Sequence, residues 1–341
     1  MVFMGYSLIS ALALLLTFNA KLLSIVGAQG WRRMEQKNFE NYYSPQYFKQ
    51  VAIDFKHDSG VLWVLMKPSG RACITPSLLR ELRRYQQGLV RWGGKYIHGD
   101  SLYPVEYQVT TSGIKDIFNY GGDLELFLRA ITNNDQDMLL KYGTSCVDVV
   151  YANATNYDLP ITTISLVCGD ALGGGLEGAL SSGTVIAERG VKMGFPEIMF
   201  NLFPGMGAYN FLCRKVAPSI AKKIITSGQV YTSEEFYEMG VVDLLAETGK
   251  GVEVVNSFVE KHRRNRHGYC AFDMASQQLY PVNYESLINI VKIWVDAAMR
   301  LTSKDLKIMK RLAKAQVQRK SNNTDGTGIY SGPVIDPVNN L

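Results

Sequence analysis

Asp170-Ala-Leu-Gly-Gly-Gly-Leu-Glu177, with Phe195-Pro-Glu197-Ile198 downstream, is the stretch that decides both fold and chemistry. An apolar strand, Ile161-Thr-Thr-Ile-Ser-Leu-Val-Cys168, runs into it, and a small-residue helix pattern, Gly178-Ala-Leu-Ser-Ser182, runs out of it. Three consecutive glycines at a strand-to-helix turn mean backbone that must approach something closely. Unspent N–H groups at a helix start suit a developing negative charge. Taken alone, a Gly-Gly-Gly run is an ordinary flexible turn, and a lone loop Glu is solvated surface. Together, two carboxylates beside such a turn point to proton transfer next to a carbonyl. A second glycine turn lies upstream at Phe118-Asn-Tyr-Gly121-Gly122-Asp123-Leu.

This pattern resembles the crotonase (enoyl-CoA hydratase/isomerase) superfamily from about residue 48 to 315. The resemblance implies an α/β fold, a spiral of stacked ββα repeats with a C-terminal helical region. It implies an oxyanion hole for a thioester carbonyl, built from the backbone N–H groups of Gly122 and Gly174. It places the catalytic pair at Glu177 and Glu197, with Leu172, Gly173, Tyr120, Gly121, Gly205 and Met206 lining the substrate site. Phe203-Pro-Gly-Met-Gly207, Ile224-Ile-Thr-Ser-Gly228, Thr232-Ser-Glu-Glu-Phe236 and Met239-Gly-Val-Val-Asp243 match later blocks of the family. Tyr120 stands where hydratases often carry a small residue, which narrows the pocket.

Within the superfamily, Gly169 to Leu180, Ala187-Glu-Arg189, Lys192 to Ile198 and Phe118 to Phe127 are similar to the bacterial diffusible signal factor synthases. So are Ile290 to Ala298 and, most specifically, Phe200-Asn-Leu-Phe-Pro-Gly-Met-Gly-Ala-Tyr209. That likeness implies dehydration of a 3-hydroxyacyl-carrier-protein thioester, then hydrolysis to a cis-2-unsaturated fatty acid, a quorum signal. It leaves open binding to the receiver domain of a sensor histidine kinase. An enoyl-CoA hydratase or isomerase, and an acyl-thioester-binding or kinase-regulating protein without turnover, are the alternatives. Such chemistry needs a base for the C2 proton, an acid for the hydroxyl and donors for the enolate oxygen. Each donor contributes about 3–4 kcal/mol, and an acid or base about 10²–10⁴ in rate. No cofactor is expected. Which Glu is acid and which is base is not legible.

Composition sets bounds. The 341 residues are 47% hydrophobic and 20% charged, with net charge +5. That is globular and mildly basic, no signature of nucleic-acid binding; an acidic carrier or CoA phosphates fit such a surface. The five cysteines have no C-x-x-C spacing, so reduced thiols in a cytoplasmic protein are expected, with Cys168 in the core. His262 and His267 lie in a basic run read as a solvated loop or helix end, and no metal site is expected.

Residues 1–33 form an apolar extension, with 1–28 strongly so. Three readings fit: a weak membrane anchor, a hydrophobic cap, or a start placed upstream of a true beginning at Met34. The last is preferred, because the family-like pattern begins only later. The spiral core is expected over 48–230, the helical region over 231–320 and a loose tail over 321–341. Val51 to Phe55 and Val61 to Met66 read as a strand pair and Thr75-Pro76 as a helix start, while Tyr103 to Val109 and Ile117-Phe118 lead to the first glycine turn. The later helices are expected at 208–226, 232–239, 250–265 and 284–319, carrying trimer-type contacts by resemblance. Over Lys304 to Lys320, a solvated amphipathic helix with Leu306, Ile308, Met309, Leu312 and Val317 inward is favoured over a carrier-binding surface. Arg71 is given no role.

Overall fold

Val51–Lys56 (β1) and Val61–Met66 (β2) pair antiparallel across the turn at His57 to Gly60, as their alternation predicts. The computed structural model describes residues 47–98 and 101–322, together with Tyr43. The chain divides into the units Met1–Tyr47 and Phe48–Leu341, and everything below concerns the second. The expectations for residues 1–33, and for the tail beyond residue 322, lie outside the described residues.

Pro76–Arg91 (α1) follows the strand pair, capped by the Thr75 hydroxyl, which accepts from the Leu78 N–H, with proline in the first turn. Lys95–His98 (β3) and Ser101–Pro104 (β4) form a separate hairpin. Tyr107–Ser112 (β5) comes next, so residues 103–109 span the end of one strand and the start of another. Pro104 explains the break, since it has no N–H to extend a ladder.

From β5 the chain alternates between two sheets. Ile117–Asn119 (β6) enters the second sheet, and two helices follow, Leu124–Thr132 (α2) and Gln136–Ala154 (α3). Thr162–Val167 (β7) returns to the first sheet, Asp170–Leu172 (β8) to the second, and Gly174–Leu180 (α4) completes the repeat. Thr184–Glu188 (β9) and Lys192–Gly194 (β10) repeat the move, followed by Ala208–Cys213 (α5) and Pro218–Ser227 (α6). Val230–Thr232 (β11), Ser233–Glu238 (α7) and Leu244–Ala246 (β12) close the two sheets. The first sheet runs β1-β2-β5-β7-β9-β12 and the second β11-β10-β8-β6. Three turns of a strand–strand–helix unit therefore build the expected spiral. β6, β8 and β10 pair in parallel, so their carboxyl ends share one edge.

The remaining helices are Gly251–Arg264 (α8), Arg266–Leu279 (α9), Tyr284–Met299 (α10) and Ser303–Asn322 (α11). Two expectations change here. The single helix expected over 284–319 is two, because the chain breaks at Arg300 to Thr302 and Asp305 accepts from the Thr302 N–H at 2.8 Å to start α11. α9 was not anticipated: it buries no residue, so it leaves no inward stripe to read. In α11, Met309 is buried as expected, while Leu306, Ile308 and Leu312 are partly buried.

One core cluster gathers α2, α3, α10 and α11 around Phe127, Leu139, Val291 and Trp294; the other packs Val255 and Val259 of α8 on the first sheet. His262 is buried in this second region, its Nδ1 3.0 Å from the Tyr107 hydroxyl. It is thus no solvated helix end; α8 brings it against β5. Cys168 is partly rather than fully buried, because β7 ends one residue before it. No helix among the described residues is long and apolar enough to cross a membrane.

Candidate active site

The parallel strands of the second sheet deliver the site. Gly122 follows β6, Gly174 follows β8, and Glu197 follows β10; Glu177 lies one helical turn into α4. Equivalent positions of three successive repeats thus converge at the carboxyl ends of neighbouring strands, where open α/β sheets commonly bind ligands.

The Gly-Gly-Gly turn is there because two backbones meet. A side chain at Gly175 would collide with the Asn119 carbonyl, and one at Gly173 with the Glu197 carboxylate. Gly173 also sits at φ 53°, which disfavours other residues. Hydrogen bonds on the far side of each peptide aim the two N–H groups. The Gly121 carbonyl accepts from the Ile74 N–H at 2.7 Å, so the Gly122 N–H of the same peptide points the other way. The Gly173 carbonyl accepts from the N–H groups of Leu176 and Glu177 at 2.9 and 3.0 Å, which orients the Gly174 N–H likewise. Neither the Gly122 nor the Gly174 N–H donates to an acceptor among the described residues. Both line a cavity of about 210 Å³.

Glu177, 1% exposed, accepts with Oε1 from the N–H groups of Met206 and Ala208, at 2.8 and 3.0 Å. Burial pushes its carboxyl up to about 7, against those two donors, which favour the ionised form. Glu197 is pushed up to about 8, by burial first and by the neighbouring Glu177 second. Its Oε2 is buried with no partner among the described residues. The two backbone donors favour the charged form of Glu177, while the nearby Glu177 charge disfavours that of Glu197. Two titratable groups driven into the neutral range by such surroundings can divide acid and base work.

Of the residues expected at the site, Glu177, Glu197, Gly122, Gly174, Tyr120, Leu172, Gly173, Gly205 and Met206 all line this cavity. Gly121 does not; it lies behind the turn, against the Gly174 backbone. Met206 does more than line the wall, since its N–H holds Glu177.

Several contributors were not anticipated. Ala208 supplies the second donor to Glu177. Tyr142 accepts from the Asp123 N–H at 3.2 Å and donates to the Ile74 carbonyl at 2.6 Å. Arg71 grips the buried Asp123 with both guanidinium nitrogens, at 2.7 and 2.9 Å, and reaches Glu125 at 3.0 Å. Asp123 also caps α2 by accepting from the Leu126 N–H. The only local signal in the sequence was the Asp before an apolar run; its partners are far away along the chain.

Residues 105–264, just under half of the chain, match the family model of the enoyl-CoA hydratase/isomerase domain. EchA17 of Mycobacterium tuberculosis, a probable enoyl-CoA hydratase, is 27% identical over 58% of this chain and 69% of its own length. Among solved structures, enoyl-CoA hydratase from Bacillus halodurans covers 77% of this chain and 100% of its own, at 19% identity and TM-score 0.64. Pseudomonas aeruginosa DspI covers 82% and 96%, at 19% identity and TM-score 0.54. These two likenesses are of fold.

Proposed function

We propose that this protein dehydrates a 3-hydroxyacyl thioester and then hydrolyses it. The observation that carries the reading is a pair of carboxyls that feel each other's charge, Glu177 buried and Glu197 partly buried, both raised into the neutral range, in one cavity with two unspent backbone N–H groups. The thioester oxygen takes the Gly122 and Gly174 N–H groups. Glu177, held as a carboxylate by Met206 and Ala208, removes the C2 proton. The enolate's electron pair then forms the C2–C3 double bond, and the C3–O bond breaks as Glu197 gives its proton to the departing hydroxyl, which leaves as water. Hydrolysis reuses the oxyanion hole. A water activated by a Glu attacks the carbonyl, the C–S bond breaks, and the thiol leaves with a proton.

The likeness of Phe200 to Tyr209 to diffusible signal factor synthases supports a cis-2-unsaturated acid as product and an acyl carrier protein as the thioester's bearer. The same reading includes a cytoplasmic homo-oligomer and a second role in binding a sensor kinase's receiver domain. Exposed Ile198, Met199, Ile220 and Val230 support self-association. The competing reading is a CoA-thioester hydratase or isomerase, favoured by the family match over 105–264. Mass spectrometry of the products from a 3-hydroxyacyl carrier-protein thioester separates them. A free cis-2-enoic acid is expected; an unreleased or trans-enoyl thioester would turn the reading to the hydratase.

A further inference from the structure

We propose that Gln316 is a positioning residue of the first oxyanion turn, and that through it α11 keeps the Gly122 N–H on target. This rests on the reading of that turn as an oxyanion site.

Gln316 is 6% exposed and lies in the cavity wall. Its Nε2 donates to the Tyr120 carbonyl at 3.0 Å and to the Gly122 carbonyl at 3.3 Å. Those carbonyls flank Gly121, whose own carbonyl is held by the Ile74 N–H. Three consecutive carbonyls of the turn are therefore pinned, two of them by one side chain from the far end of the chain. Pinning the carbonyl on each side fixes the two peptides that bracket the Gly122 N–H. Without Gln316, the turn keeps the bonds to Ala72, Ile74, Asn119 and Tyr142, none of which holds the Tyr120 or the Gly122 carbonyl.

Packing alone does not explain the residue. Its Oε1 is buried with no partner among the described residues. A half-satisfied buried amide is costlier than an apolar side chain of the same size, so the two donated bonds are the reason for a glutamine here. The rest of α11 fits the same role. Met309 and Ala313 are buried in the cluster that holds Phe127 and Trp294. Near the helix start, Asp305 accepts from Asn201 Nδ2 at 3.5 Å, in the loop that follows Glu197. One helix thus touches both the oxyanion turn and the segment carrying the second carboxyl.

The test uses the full-length protein, a 3-hydroxyacyl pantetheine thioester and two variants. Gln316→Met keeps the length and removes the donor; Gln316→Asn keeps the amide but falls one methylene short. Each is expected to lower kcat about tenfold, less than the hundredfold or more that deleting an oxyanion donor costs, with KM within twofold. In the same variants, amide hydrogen exchange over Asn119 to Leu124 should rise several-fold in the absence of substrate. A residue that merely packs would leave exchange at the turn unchanged, or move KM and kcat together. A kcat within twofold of wild type in both variants, or unchanged exchange at the turn, overturns the proposal. If the wild-type protein does not act on the thioester, the functional reading fails, while the exchange measurement still decides whether Gln316 holds the turn.

Discussion

Glu177 and Glu197 differ in what touches them. Two backbone N–H groups favour the charge on Glu177; Glu197 meets a neighbouring carboxylate and has an oxygen with no partner among the described residues. Glu177→Gln and Glu197→Gln are each expected to cut dehydration by about 10²–10⁴ and leave the circular dichroism spectrum unchanged. The pH profile of kcat/KM should be bell-shaped and narrow. In the proposed mechanism the active form has Glu177 ionised and Glu197 protonated, which is most populated between about 7 and about 8. The two apparent values belong to the pair, and a rate that failed to fall on both sides of that interval, in acid below about 7 and in base above about 8, would contradict the division of roles. Gly173→Ala places a methyl against the Glu197 carboxylate at φ 53°. On the proposed mechanism it should slow turnover more than it lowers the thermal midpoint, since the displaced group is the proposed acid. These residues were legible because their signal is local: a glycine turn, a Glu at fixed spacing, a Pro-Gly block. Gln316, Tyr142 and Arg71 were not, because each acts on a backbone or side chain many residues away, and no short pattern marks such a pairing.

At the scale of elements, the Arg71–Asp123 pair decides how firmly α2 begins and how the Gly121-Gly122 turn ends. Asp123→Ala removes a helix cap, worth about 1 kcal/mol, and leaves Arg71 with only its exposed partner Glu125. Loss of a partner from a fully buried pair costs about 3–5 kcal/mol; Arg71 is partly exposed, so about 2–3 kcal/mol in total is expected in urea unfolding. Asp123→Asn keeps an acceptor for the Leu126 N–H and should cost clearly less. Equal losses would show that the charge carries no part of the effect. Elements with a buried face were readable: β1 and β2 from their apolar runs, α1 from Thr75-Pro76 and its leucines. The β3–β4 hairpin and α9 were missed for the complementary reason. β4 is largely exposed and α9 buries nothing, so neither writes a core-facing period into the sequence.

For the whole molecule, the spiral followed from motif resemblance rather than periodicity. The alternation between two sheets is a property of pairing between repeats, which no single segment reveals. The site has a cost for the whole fold. Both carboxyls are raised from 4.5 in the folded state, so between about pH 5 and 8 the native protein holds protons that the unfolded chain has lost. Stability from this source is full below about pH 4.5 and is lost as pH rises through about 7 and 8. Glu197→Gln removes the larger share. Its thermal midpoint at pH 8.5 should exceed that of the wild type by about 2 °C or more, roughly 1 kcal/mol, with the gap closing towards pH 5. A gap of opposite sign, or one independent of pH, would mean that Glu197 is not held protonated in the fold.

The most direct test of the central claim follows enoyl formation from a 3-hydroxyacyl thioester deuterated at C2, in the wild type and in Glu177→Gln and Glu197→Gln. The account expects the wild-type product to lose one deuterium from C2, more slowly than the unlabelled substrate loses hydrogen, with each variant at least about a hundredfold slower. Full turnover by either variant, or a product that retains both deuteriums, would contradict it.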